Sequence, residues 1–393
     1  MSVTTGTLLT DALLQACRSR AAGYDRDNKF CKEDFDELKA AGYLKMALPK
    51  EFGGLGYSLH QAHRETRRLA AYAPATALCI NMHHYWVGTA ADTWRVTKDK
   101  SVEFILEDAA AGEIFAAGHA ESGNETSLFM STTKATKVPG GYTFTGRKSF
   151  GSLTPVWTRL GLHGMDTSDP ANPRIVHAFV SRGTKGITIQ ETWDVMGMRA
   201  TRSDDTLLDD VFVPDKYIVR VAPVGLAGAD FFVLSIFAWA LLGFGNVYYA
   251  LAQRMLELAV EQAKSKGSLG LTRSRAYHPE VQHHVAEMVM QLEAIGAQLE
   301  SVMQDWSNGV DHGPAWPIKI VSAKYNAVMA AWNIADRALE VSGGFGMFKK
   351  SEMERLFRDA RAGRFHPANS SLAHELIGKM ALGINPDETP RWG

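Results

Sequence analysis

From Phe231 to Gln253 the chain runs for 23 residues without a charge. Such a stretch is long enough to cross a bilayer, and in water it has to be enclosed on nearly every side by other elements. The residues just beyond it separate the two cases. The chain continues with Arg254, Glu257, Glu261 and Lys264, three to four residues apart, which is the spacing of a polar stripe on one helix face. No second apolar span and no basic flank accompany the run. The pattern predicts the core helix of a large bundle and no membrane span.

The surrounding sequence supports a bundle. Val281, Val285, Met288, Leu292, Ile295, Leu299, Val302 and Trp306 alternate steps of four and three, a heptad seam that needs long neighbouring helices. Another helix is expected over about 322–341, closing at Ser342-Gly343-Gly344-Phe345-Gly346. The next is expected from Ser351, with Glu354 completing a capping box. Helical periodicity also marks the start of the chain, through Leu38, Ala41, Leu44 and Met46, a break at Pro49 to Gly56, and Leu69 to Ile80. In between, the period changes to two. Tyr142-Thr143-Phe144-Thr145 follows the turn Pro139-Gly140-Gly141, and short strands are expected at Ile175 to Val180, Gly186 to Ile189 and Val211 to Pro214. The expected class is α+β: an N-terminal helical domain (1–115), a small central β-domain (116–222) and a C-terminal helical bundle of four-helix type (223–393).

Charge and cysteine usage narrow the function. Forty-two basic residues against 43 acidic ones give a net charge of -1, so no global field exists to hold nucleic acid. Cys17, Cys31 and Cys79 are widely separated with no CxxC pair, a reduced, cytoplasmic pattern rather than a disulfide scaffold or zinc site. Asp11 interrupts the first apolar stretch and no basic segment precedes it, so no signal peptide is expected. The pairs His83-His84 and His283-His284 are poor metal ligands, because adjacent helical residues point about 100° apart. No metal is expected.

The order of elements, with particular motifs inside it, resembles the acyl-CoA dehydrogenase superfamily over nearly the whole chain. Pro49 to Gly56 is similar to that family's P-x-x-x-G-G-x-G turn, and Glu121 to Ser127 to its E-P-G-x-G-S-D flavin loop. Gly146 to Ser152 is similar to its G-x-K-x-W-I-T strand, and Gly197-Met198-Arg199 with Asp209 to Pro214 to its G-x-R and D-V-x-V-P motifs. Leu251 to Arg254, Ser342 to Gly346 and Arg358 to Arg361 match landmarks of its C-terminal bundle. The resemblance implies a flavin, FAD in preference to FMN. Its candidate ring contacts are Thr126, Ser127, Phe150, Ser152 and Asn369, and its candidate nucleotide contacts are Lys266, Ser342, Gly343 and Gly344, the latter serving the adenine end of an FAD held mainly by a neighbouring subunit. Lys266 and Leu269 stand where the family has Arg and Phe, so a bidentate fork on the pyrophosphate is lost.

The family's dehydrogenases also need a carboxylate base facing the flavin. At its usual position this chain has Pro367, and at the minority position on the long helix it has Ala240. His366 is adjacent to the first vacancy. The resemblance therefore implies an FAD-dependent oxidoreductase acting on an acyl-CoA or related thioester. The alternative is a flavin monooxygenase or oxidase in which His366 attends a flavin-oxygen adduct, fed by a separate reductase or electron-transfer partner. The family's two-component monooxygenases carry a His at this offset, and Phe150-x-Ser152 resembles their F-x-S-G, with Leu153 in place of the Gly. A catalytically silent partner subunit is the third reading. A homodimer or homotetramer is expected in each case.

Overall fold

The computed structural model describes residues 8–125, 129–226, 229–265, 267, 269–270 and 272–388. The chain opens with α1 (Asp11–Asp27), α2 (Lys32–Ala40), α3 (Leu59–Ala70), α4 (Pro74–Thr97) and α5 (Glu103–Ala111). Then come β1 (Phe115–Gly118), β2 (Lys134–Val138), β3 (Gly141–Lys148), β4 (Arg159–Asp166), β5 (Arg174–Ser181), β6 (Ile187–Gln190), β7 (Asp205–Pro214) and β8 (Ile218–Pro223). It closes with α6 (Phe231–Ser265), α7 (Pro279–Ser307), α8 (Trp316–Ser342), α9 (Glu352–Ala362) and α10 (Ser370–Leu382). The order of helix, sheet and helix agrees with the α+β class expected from periodicity.

The uncharged run is the first part of α6, a single 35-residue helix whose most apolar window is 89% buried within the protein. It is therefore enclosed by neighbouring helices, chiefly α8, α4, α3 and α7. Trp239 on α6 and Trp306 on α7 both donate their indole N–H to Asp92 Oδ2 on α4, at 2.7 and 2.9 Å. The buried carboxylate thereby ties three helices at one point. Farther along, Arg254 leaves the apolar seam and pairs with Glu352 on α9 at 2.9 Å.

The strands form one sheet in the order β6-β7-β3-β2-β4-β5-β8, with β1 parallel to β4. Period two exposed β3, β5, β6 and the end of β7, but β1, β2, β4 and β8 are not evident from it. In β4, Gly161 and Gly164 read as breakers, whereas the strand needs the absence of side chains there. A Cβ at Gly161 would fall 2.4 Å from the Trp86 ring.

Two local expectations differ from the structure, and one core contact was not foreseen. Helix α8 begins at Trp316, ahead of 322, because Pro317 occupies its first turn, where a missing N–H costs nothing. The capping box at Ser351 does not form, since the Glu354 carboxylate is taken by Arg358 (2.7 Å) and Lys349 (2.9 Å). Cys31 and Cys79, distant in sequence, meet in the core with their sulfurs 3.5 Å apart.

Candidate functional site

One face of α6 carries the site. Phe237, Ala240, Leu241, Phe244 and Tyr248 recur at steps of one helical turn and so share a stripe. Phe237, Ala240 and Phe244 keep 6–8% exposure, where Ala238, Trp239 and Leu242 have none. His366 lies against this stripe. Helix α9 ends at Ala362, a short turn follows, and Pro367 holds His366 in extended backbone (φ -65°, ψ 148°). The imidazole stacks on Phe244, with centroids 4.6 Å apart and rings 14° from parallel. Its Nε2 shares a hydrogen bond of 2.8 Å with Tyr248 Oη. Lys324 Nζ, on α8, donates to the carbonyls of His366 (2.8 Å) and Ala368 (2.9 Å). Three residues beyond His366, Asn369 caps α10 by accepting from the Leu372 N–H at 2.9 Å.

The electrostatics of this pocket follow from burial. Desolvation pushes the His366 imidazole down to about 3, and the Lys324 cation pushes it the same way. Burial brings the Lys324 ammonium down to about 7, and its acceptors are two backbone carbonyls rather than a carboxylate. The Tyr248 phenol is raised by burial and keeps its proton. The pocket thus holds a neutral histidine fixed from both sides. Proton abstraction by a carboxylate has no agent at either expected position, which are Pro367 and Ala240.

A second group of expected residues lies where β3 ends. Phe150 sits in left-handed backbone (φ 57°), 62% exposed, edge-on to Trp193 at 5.9 Å. Ser152 is buried, its Oγ 2.7 Å from Ser203 Oγ, which is in turn 2.7 Å from Thr201 Oγ1. An exposed phenyl beside a chain of hydroxyls suits a flat ring with one apolar face and a polar edge. Trp193 leads toward the His366 loop. Its Nε1 donates to Met198 O at 3.4 Å, and the Met198 N–H donates to Asp359 on α9, the helix that precedes His366. Burial raises that Asp359 carboxyl to about 6.

Thr126, Ser127 and Lys266 lie outside the described residues. Glu121, at the start of the same motif, lies within the described residues. Glu121 is buried, 2.5 Å from Lys148 Nζ, and also accepts from Ser131 Oγ (2.7 Å), Thr132 N (2.8 Å) and Thr133 Oγ1 (2.6 Å). Burial alone would raise this carboxyl, but the Lys148 charge and these donors hold it at about 2. The Lys148 ammonium, lowered to about 8 by burial against the pull of Glu121, remains charged at neutral pH.

Ser342, Gly343 and Gly344 stand apart from both groups. The Ser342 hydroxyl bonds back to Ala338 O at 2.8 Å, and Gly343 takes φ 65°, ψ -173°, a conformation open only to glycine. Ser342 lies 18 positions beyond Lys324 on α8, about 27 Å along the helix axis. One ring system cannot touch both ends. Phe345, Met347 and Phe348, just past this turn, are more than half exposed. The arginines Arg199 and Arg202 pair with Asp194 and Asp204, and Arg361 lies over Trp332 and Phe365. His83 and His163 are buried, and burial lowers both imidazoles. Among the described residues no group of three or more His, Cys, Asp and Glu side chains is placed to hold a metal.

Tyr248 and Lys324 carry no motif in the sequence, and Glu121 and Lys148 stand there only as members of the two β-domain motifs. Three of the four left a further signal. Tyr248 continues the Phe237–Phe244 stripe, Lys324 interrupts the apolar face of α8 between Ile320 and Val328, and Lys148 falls on the inward phase of β3 set by Tyr142 and Phe144.

Comparison with known proteins agrees with the fold. The family description "Acyl-CoA dehydrogenase, N-terminal domain" matches residues 9–113, and "Acyl-CoA dehydrogenase, C-terminal domain" matches 242–371. The acyl-CoA dehydrogenase-like protein YdbM of Bacillus subtilis (strain 168) is 27% identical, over 91% of this chain and 92% of its own length. The amino sugar nitrososynthase DnmZ of Streptomyces peucetius is 26% identical, over 95% and 92%. The dibenzothiophene monooxygenase of Rhodococcus erythropolis is 26% identical, over 94% and 91%. The solved structure of KijD3 in complex with FMN and a dTDP-linked amino keto sugar superposes with a TM-score of 0.85 at 26% identity, covering 99% of this chain and 97% of that one.

Proposed function

Because the chain belongs to the acyl-CoA dehydrogenase superfamily and is a flavin-dependent oxidoreductase, we propose that it is a monooxygenase of that fold rather than an acyl-CoA dehydrogenase. The observation that carries this reading is the His366 pocket, where a neutral imidazole replaces the carboxylate that thioester dehydrogenation requires. The nitrososynthase and monooxygenase relatives support the same choice.

Bound flavin supplies the redox chemistry and the activation of oxygen. The chain's own residues supply the setting. Phe150 offers an apolar face to the ring, and Ser152 a hydroxyl at its edge. Thr126 and Ser127 belong with them by motif. In the tautomer where Tyr248 donates to Nε2, the ring proton of His366 stands on Nδ1, where it can hydrogen-bond an oxygen atom at the site. Lys324 fixes the backbone from which that ring projects. Phe244, stacked on the imidazole, shields that face of it from water.

FAD and FMN differ here only in what the remote turn at Ser342 to Gly344 does, with Lys266 as a further phosphate contact. That turn serves the adenosine half of an FAD reaching across a subunit boundary. A homodimer or homotetramer burying Phe345, Met347 and Phe348 provides such a boundary. A separate reductase supplies electrons, and the buried reduced cysteines suit the cytoplasm.

The test needs no organic substrate. Protein loaded with reduced FMN is mixed with oxygen, and flavin reoxidation and hydrogen peroxide release are followed together. Wild-type protein should delay peroxide release relative to free flavin, and His366→Ala should release it about tenfold faster or more while still binding flavin. Equal release from both proteins would remove His366 from the chemistry.

A further inference from the structure

A cleft of about 470 Å³ opens at the amino-terminal end of α6. Phe231, Leu234 and Phe237 form its α6 wall, Pro314 and Pro317 close it from the start of α8, and Met380 from the last turn of α10. All three walls lead inward to the same place. Phe244, on which His366 stacks, follows Phe237 by seven positions, and Lys324, which holds the His366 carbonyl, follows Pro317 by seven. Each step is two turns along one helix face, about 10 Å. On the third wall, Asn369 stands eleven positions before Met380, about 16 Å along α10. The cleft and His366 are therefore opposite ends of one seam between α6, α8 and α10.

The chemistry of the lining is one-sided. Among the described residues no Lys or Arg lines the cleft, and its single charged side chain is Asp230. That carboxylate is already engaged. Oδ2 accepts from Arg220 Nε at 2.6 Å, and Oδ1 accepts from the Val233 N–H at 3.1 Å in the first turn of α6. The positive end of the helix thus holds an anion of its own, and a phosphate brought there would meet like charge. The volume falls within the range of small-molecule pockets, and the surface offered is phenyl, proline ring and thioether.

We propose that this cleft admits the molecule to be oxygenated, and that it selects an uncharged, apolar small molecule while rejecting those that carry a nucleoside diphosphate or coenzyme A. The proposal rests on the monooxygenase reading and narrows its substrate class. It separates this chain from relatives of the same fold named for amino sugars.

Equilibrium dialysis of the full chain tests it, with indole as the uncharged probe and dTDP and butyryl-CoA as phosphate-bearing ones. Indole should bind saturably, with neither phosphate compound displacing it. Met380→Arg and Leu234→Arg, on separate helices, should each weaken indole at least about tenfold by placing a cation in an apolar wall. Two variants guard against one misfolding. Absence of saturable indole binding, displacement by dTDP or butyryl-CoA, or indifference to both substitutions would overturn the proposal. The peroxide measurement on wild-type protein contains no organic substrate. Its failure would overturn the monooxygenase reading and leave the cleft's selectivity standing.

Discussion

Lys324 and His366 form a pair in which neither partner is a carboxylate. A buried ammonium answered only by carbonyl dipoles carries a penalty that grows with its charge. Its folded value of about 7, against an ordinary 10.5, fixes the sign. Between those values the unfolded chain holds a proton that the folded chain has released. Raising the pH through that window should therefore stabilise the wild type relative to Lys324→Met, and below about 7 the full penalty remains. Chemical denaturation of both proteins across pH 7–10.5 checks this, and parallel curves would contradict it. The same substitution frees the His366 carbonyl, so oxygenation should fall by about tenfold or more even at a pH where both proteins are equally folded. His366 itself was legible in the sequence, because it stands beside a proline in the place of an expected acid. Lys324 and Tyr248 were not, because their roles come from helices more than 40 residues away in the chain meeting one loop.

At the scale of elements, the long helices were the most legible part. The heptad seam lies on α7, with Val281, Met288, Leu292, Leu299 and Val302 buried, and the uncharged run lies on α6. The start of α8 and the capping of α9 were less legible, since Pro317 and Arg358 acted there in ways that the local pattern does not encode. Strand β4 was hidden for a similar reason: Gly161 and Gly164, which read as breakers, are spaces for the Trp86 and Phe144 rings. The turn after α8 gives an element-scale prediction. Gly343→Val forces a side chain into a backbone region that only glycine occupies, at a cost of order 1–3 kcal/mol. FAD affinity should fall by roughly tenfold while FMN affinity stays unchanged, as read by fluorescence titration of the apoprotein. Equal loss of both flavins would mean that the turn supports the ring site instead.

Across the whole molecule, neutral histidines are buried or half-buried in each part of the fold. Burial lowers His63 and His366 to about 3, and His83 and His177 to about 4, against an ordinary 6.5. The unfolded chain binds protons at these sites that the folded chain refuses, so stability should fall as the pH drops from 6.5 toward 4. Thermal melts in that range should show a declining transition temperature, and a flat profile would contradict the burial of these rings. The decline should be shared among parts, because His63 packs on Trp239 of α6, His177 on Phe232, and His366 on Phe244.

The central claim is that this fold has exchanged thioester dehydrogenation for oxygenation. Anaerobic addition of butyryl-CoA to protein loaded with oxidised flavin tests it most directly, with the visible flavin band followed over time. An unchanged band is predicted, because no carboxylate faces the stripe at Pro367 or Ala240 to remove the proton. Stoichiometric bleaching of the flavin would contradict the account.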